Sequence, residues 1–226
     1  MSENEDNDAL RALGRASVQI VHDLKNQLNG LKLYATFLRR RLEKSERPAD
    51  ELDTINKLIA GLDKTAADLS MIVEYGQPLA LNKRAGIDLE KIMRGVAAGL
   101  NESPRATGAL LGPIVVDSEP TQLIGDFDPK VLSDALKSIS VGAMKLITNK
   151  SQQGSLKIHM KREAINAQQE GVIEWRAFDS LDHDPFHSFA GSDEIRMSLA
   201  AKVIELHGGS AERQDVTLRV RLPLGS

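Results

Sequence analysis

The sequence contains no cysteine, which excludes disulfides, thiolate nucleophiles and cysteine-ligated zinc together. It also lacks a surplus of positive charge. The formal net charge is −3 at pH 7, whereas a sequence-independent nucleic-acid binder carries a strong basic excess to neutralise phosphates. No apolar run approaches the roughly 20 residues that cross a bilayer, and no secretory leader pattern opens the chain. Repeats and low-complexity tracts are missing as well. What is present suits an ordinary globular protein: 226 residues, 41% hydrophobic and 27% charged, enough for two modest domains or one large one. The expectation is a cytoplasmic protein with neither a membrane nor a nucleic acid as partner. The acidic opening MSENEDND, within residues 1–9, reads as a short disordered tail.

From Leu10 to Lys44 the apolar residues follow a heptad. Val21, Leu28, Ala35 and Leu42 recur at one seam position, and Leu24, Leu31 and Leu38 at the other. Arg39-Arg40-Arg41 suits the negative pole of that helix, and Ser45-Glu46-Arg47-Pro48 breaks it. Asp50 can cap a second helix in which Ile55, Leu62 and Leu69 alternate with Leu58 or Ile59, Ala66 and Val73, ending near Gly76-Gln77-Pro78. Residues 10–76 thus predict an antiparallel helical hairpin. Such a hairpin cannot bury two apolar faces alone. Two copies can close a four-helix bundle through one symmetric interface, which points to a homodimer; the alternative is packing against the rest of the same chain.

After Pro78 the pattern becomes mixed. Ile87 to Leu100 reads as a helix, and Ile114-Val115-Val116 and Leu123 to Phe127 as short strands. Asp128-Pro129 opens a helix running to about Ile147, with proline at its first position. Leu156 to Arg162 and Val172 to Phe178 alternate as strands. A helix over about Asp193 to Leu206 stops at Gly208-Gly209, and Val216 to Leu222 is a last strand. Residues 79–226 therefore predict a two-layer α/β sandwich, so that the fold class is α plus α/β.

The segment VHDLKNQLNG places a histidine beside an acid on the first helix. His22 falls outside the seam, with Asn26 directly over it one turn on, Lys25 three residues away, and Asp23 oblique to the ring. A neutral imidazole offers one lone pair, and a nearby carboxylate can steady the charge that develops on attack, which suits a nucleophile for phosphorus. A carboxamide one turn along can orient a water or a transferring phosphoryl group. On these residues alone, a solvated surface histidine is the simpler account.

The stretch SVQIVHDLKNQLNGLKLYATFLRRRL resembles the phospho-acceptor segment of two-component histidine kinases, whose dimerisation and phosphotransfer domain is such a hairpin. The family pattern is histidine, an acid, two residues, then Asn or Thr, and His22, Asp23 and Asn26 fill it in order. The resemblance implies that His22 is phosphorylated, that Asp23 assists transfer, and that Asn26 can position water for dephosphorylating a response regulator. Gln27 departs from the proline of many members. Residues 79–224 resemble the ATP-binding domain that follows in such kinases. LNKRAGIDLEKIMRGVAAGL looks like its leading strand and first helix, GDFDPKVLSDALKSISVGAMKLI like the helix that holds Mg²⁺, and AAKVIELHGGSAE like its late helix, glycine turn and strand.

The nucleotide chemistry departs from that family. Gly142 stands at the position of the Mg²⁺-binding asparagine, and Ser138 one turn earlier where a second asparagine is common. Glu194-Ile195-Arg196-Met197 matches a glycine-rich phosphate loop but carries side chains and an acid that repels phosphate. Asp179 matches an adenine-reading aspartate, yet Leu181 replaces the expected glycine, and the segment up to Asp193 is too short for a full lid. The expectation is a degenerate nucleotide site without ATP, cofactor or bound metal. His183 and His187 in DSLDHDPFHSF read as incidental loop residues and Trp175 as sheet core.

Three functions follow from these resemblances. The leading one is a dimeric histidine phosphotransferase that exchanges a phosphoryl group between His22 and the aspartate of a response-regulator receiver domain, with Mg²⁺ supplied by that partner. The second is an active histidine kinase, or a bifunctional kinase and phosphatase. The third is a non-catalytic scaffold that binds a response regulator.

Overall fold

Two long helices carry the heptad pattern. The computed structural model describes residues 3–43, 49–76, 79–102, 112–148, 155–165, 168–176, 184–188 and 192–225. Helix α1 (Glu3–Leu42) and helix α2 (Ala49–Gly76) lie in the first of two compact units, Met1–Pro78 and Leu79–Ser226. The acidic opening expected as a tail is helical backbone from Glu3 onward. Its acids suit the positive pole of a helix, so the sequence there is compatible with a first turn. The second helix starts at Ala49, one residue before Asp50, so Asp50 sits in the first turn rather than capping it from outside. The two helices pack against each other. Lys32 Nζ meets Asp63 Oδ1 at 2.6 Å, joining the middle of α2 to the C-terminal part of α1 as an antiparallel hairpin does.

The second unit begins with strand β1 (Arg84–Asp88) and helix α3 (Leu89–Glu102), then strands β2 (Gly112–Ser118) and β3 (Ile124–Phe127). Helix α4 (Pro129–Thr148), strands β4 (Ser155–Ile165) and β5 (Gln168–Arg176), helix α5 (Ser192–Leu206), and strands β6 (Ser210–Gln214) and β7 (Thr217–Pro223) complete it. The expected helix from Ile87 starts two residues later, because Asp88 closes β1. Its Oδ1 accepts the N–H groups of Glu90 at 3.0 Å and Lys91 at 3.3 Å, as an N-cap does.

Five strands form a mixed sheet in the order β2-β4-β5-β7-β6, parallel only between β2 and β4, while β1 and β3 pair separately. Strand alternation decides which face is dry. Leu156, Ile158 and Met160 of β4, Ile173 and Trp175 of β5, and Leu218, Val220 and Leu222 of β7 join one core with residues of α3, α4 and α5. Trp175 is fully buried, and its indole N–H donates to Ser140 Oγ of α4 at 3.0 Å. The intervening residues lie on the opposite, polar face. There Glu174 is 2% exposed and accepts hydrogen bonds from Arg176 and, at 2.6 Å, from Arg219. Burial raises the Glu174 pKa, but the hydrogen bonds from the two arginines outweigh it, and the net shift is downward.

The late helix ends in a left-handed glycine. Gly208 has φ +86°, its N–H donates to Glu205 O at 2.8 Å, and Gly209 N–H reaches Ile204 O at 3.0 Å. This is the six-to-one and five-to-two pairing of a Schellman cap. A Cβ on Gly209 would overlap the Arg221 carbonyl of β7, so close approach as well as conformation calls for glycine. The preceding His207 is 2% exposed. Its Nδ1–H donates to Val203 O at 2.8 Å and its Nε2 accepts the Asp128 N–H at 3.0 Å, an arrangement that requires the neutral ring. Asp128 in turn caps α4 through Oδ1, with Lys130 N at 3.1 Å and Val131 N at 3.2 Å, and its Oδ2 accepts the Asn82 N–H at 2.8 Å.

Two predictions follow from this packing. Ser140→Ala leaves the buried Trp175 N–H without its acceptor and should lower unfolding stability by about 1–3 kcal/mol in a denaturant titration. Burial lowers the His207 pKa below its usual 6.5. The unfolded chain then binds a proton that the folded chain resists, so stability present above about pH 6.5 is lost as pH falls toward the folded value. The difference in unfolding midpoint between parent and His207→Gln should therefore narrow on acidification from pH 7.5 to 5.5.

Candidate functional site

The helical seam is only half covered within the first unit. Along α1, Ala35 is buried and Val21, Leu28 and Leu42 are half-buried, so that row faces α2. The other row, Leu24, Leu31 and Leu38, is 44–54% exposed, and Ile20 and Tyr34 extend it along the same side. On α2 the choice between Leu58 and Ile59 falls to Ile59, which is buried together with Met71, while Leu58 and Ile72 stay exposed. One apolar face of each helix is thus used inside the hairpin, and a second is left over.

His22, Asp23, Lys25 and Asn26 all lie in the middle of α1. The His22 side chain is outside the described residues; Asp23 and Asn26 are exposed and Lys25 is half-buried. Helical spacing decides which of these share a face. Asn26, Leu33 and Phe37 follow His22 by four, eleven and fifteen residues and form one stripe with it, away from the row that faces α2. Leu33 is 56% and Phe37 53% exposed. Their exposure was not legible from the heptad, which assigns neither of them to the seam. At the end of the helix Arg39, Arg40 and Arg41 occupy the last turn, with Arg39 Nε 3.5 Å from Glu43.

A second candidate lies between α4 and α5, where a groove of about 250 Å³ is lined by Asp134, Lys137, Ser138, Val141, Gly142, Asp193 and Arg196. Ser138, Gly142 and Arg196 therefore line one groove. Asp179, Leu181 and His183 lie outside the described residues. Glu194 to Met197, the stretch matched to a glycine-rich phosphate loop, lie in the first turns of α5, within the helix expected over about Asp193 to Leu206, and Ile195 and Met197 are buried. His187 pairs with Asp184 at 2.8 Å.

Positions 138 and 142, matched to the Mg²⁺ ligands of the resembled family, supply no carboxamide oxygen to this groove, whose wall also carries Asp134, Lys137 and Arg196. A magnesium ion needs oxygen ligands, and Gly142 has no side chain. Ser138 Oγ donates to Asp134 O at 3.0 Å on its own helix. Lys145 Nζ of α4 is held by Asp193 Oδ1 at 2.5 Å. Among the described residues no three His, Asp or Glu side chains converge as a metal site, and no helix is long and apolar enough to cross a membrane.

No protein-family model matches the sequence, and no curated protein is significantly similar to it. Solved structures are similar in fold. Full-length ShkA in complex with AMPPNP superposes with a TM-score of 0.62 at 16% identity, over 94% of this chain and 46% of ShkA. The Acinetobacter baumannii histidine kinase AdeS gives 0.55 at 15% identity, over 91% of this chain and 98% of that one. The histidine kinase ThkA in complex with the response regulator protein TrrA gives 0.58 at 17% identity, over 99% and 65%. The chain spans about half the length of ShkA. The fold is that of histidine kinases, with a mixed five-stranded sheet of the catalytic-domain type in the second unit.

Proposed function

We propose that this chain is a cytoplasmic two-component phosphorelay protein in which His22 exchanges a phosphoryl group with the aspartate of a response-regulator receiver domain, without ATP. The observation that carries it is the α1 stripe. His22 and Asn26 share it with two large apolar side chains, Leu33 and Phe37, that are more than half exposed. A surface that serves only solvation has no need of Leu and Phe there, whereas a docking partner does. ThkA, a histidine kinase of the same fold, is in complex with a response regulator, which supports a receiver domain as that partner.

In the transfer, a lone-pair nitrogen of neutral His22 attacks the phosphorus of the aspartyl phosphate. The N–P bond forms as the P–O bond to the regulator breaks, and the carboxylate leaves. The ring becomes a phospho-imidazolium, whose positive charge the neighbouring Asp23 carboxylate favours. Lys25, three residues on, favours the phosphoryl oxygens, and Asn26 can orient the group or a hydrolytic water. Mg²⁺ belongs to the receiver in this scheme. The degenerate α4–α5 groove supports transfer that draws on no nucleotide.

The left-over face of Leu24, Leu31 and Leu38 supports a homodimer, since a second hairpin laid against it closes a four-helix bundle and removes these side chains from water.

A second reading, an ATP-dependent histidine kinase or bifunctional kinase and phosphatase, is favoured by the histidine kinases that share the fold, one of them holding AMPPNP.

Incubation with a labelled phospho-receiver should give acid-labile label on the parent and none on His22→Ala, while Phe37→Ala should slow transfer about tenfold or more if it anchors docking. Equal labelling of His22→Ala sinks the proposal, and labelling from ATP alone selects the kinase. Sedimentation at micromolar concentration should give a dimer for the parent and a monomer for Leu31→Asp/Leu38→Asp. A monomeric parent excludes the bundle.

A further inference from the structure

The crossing of α4 and α5 has a knob-in-socket contact at its centre. Gly142 is buried on α4, and a Cβ built there would overlap Met197 Sδ and lie 2.7 Å from its Cγ. Met197 itself is 2% exposed, so its thioether has no solvent into which to retreat. We propose that Met197 is a plug that fills the space of a side chain at position 142, that the α4–α5 groove therefore presents no metal ligand there and does not hold a Mg²⁺-nucleotide, and that the Lys145–Asp193 ion pair clasps the two helices in that packing.

Three observations outside the plug point the same way. The start of α5 is a helix N-terminus, where backbone N–H groups favour an anion, but Asp193 and Glu194 in its first turn already supply negative charge. Asp193 takes the ammonium of Lys145, which joins the two helices at this end. Residues 184–188 are seated as well: Phe186 is 1% exposed, Ser188 Oγ donates to Glu194, and Ser198 Oγ donates to Ser188 O at 2.9 Å. Steric filling excludes a side-chain metal ligand at position 142, and residues 184–188 brace that packing, while Lys137 and Arg196 remain on the groove wall. The plug stands whether or not His22 accepts a phosphoryl group.

Two measurements on the full chain test it. Titration with Mg²⁺-ATP, followed by displacement of a fluorescent trinitrophenyl-ATP, should show no saturable binding up to millimolar concentration; saturable binding overturns the proposal. The plug itself is tested by unfolding titrations that use Trp175, the single tryptophan, as reporter. Glycine to alanine inside a helix is ordinarily stabilising. Gly142→Ala should nevertheless destabilise the parent, and should become neutral or stabilising in the Met197→Ala background, where the socket is empty. The same effect of Gly142→Ala in both backgrounds means that Met197 does not fill position 142, and the plug is then wrong.

Discussion

The backbone N–H of Asp128, donated to the buried His207 ring, joins three parts of the second unit that are distant in sequence. Asp128 starts α4, His207 ends α5, and the Asp128 carboxylate holds Asn82 ahead of β1. Each link satisfies a backbone group that helix termini would otherwise leave without a partner in a dry environment. With both ends so held, α4 and α5 lie over the apolar face of the sheet, and Trp175 finds Ser140. The Asp128 pKa is lowered chiefly by the Asn82 N–H and then by Val131 N–H. The carboxylate is thus kept ionised by the contacts that make it a junction.

In the first unit the governing constraint is geometric. A helix has one apolar row for each neighbour it can meet, and α1 has two rows but a single packed neighbour in its own unit among the described residues. The row of Ala35 is spent on α2, and that of Leu31 is not. The stripe of Asn26, Leu33 and Phe37 lies on a third side. A helix with three differently used sides can serve a hairpin, a second copy and a docking partner without any one surface doing two tasks.

In the second unit the elements that build the fold are separate from the residues that line the α4–α5 groove. Sheet, helices and cap depend on hydrophobic alternation and end capping, which do not involve the groove. The groove depends on a few side chains at the α4–α5 crossing, and those are a glycine, a methionine and an ion pair. Met197 packs where a side chain at position 142 would stand, so the crossing is filled by apolar atoms that need no hydrogen-bond partners.

Element types were legible along nearly the whole chain because their signals are local. The heptad, the strand alternation, Pro129 after Asp128, and Gly208-Gly209 after His207 each dictate a conformation within a few residues. The boundaries missed at Glu3, Ala49 and Leu89 lie where adjoining residues suit either state. The motif around His22 and the absence of an asparagine at 142 were likewise readable as residue types. Tertiary structure alone decided that one seam row is covered and the other exposed, that Leu33 and Phe37 lie open beside Asn26, and that Met197 meets Gly142 across fifty-five residues of sequence. These are contacts between elements. The sequence by itself determined which helices and strands form, since propensity and periodicity act along the chain; packing decided which of their faces remain available, since burial depends on what else arrives there.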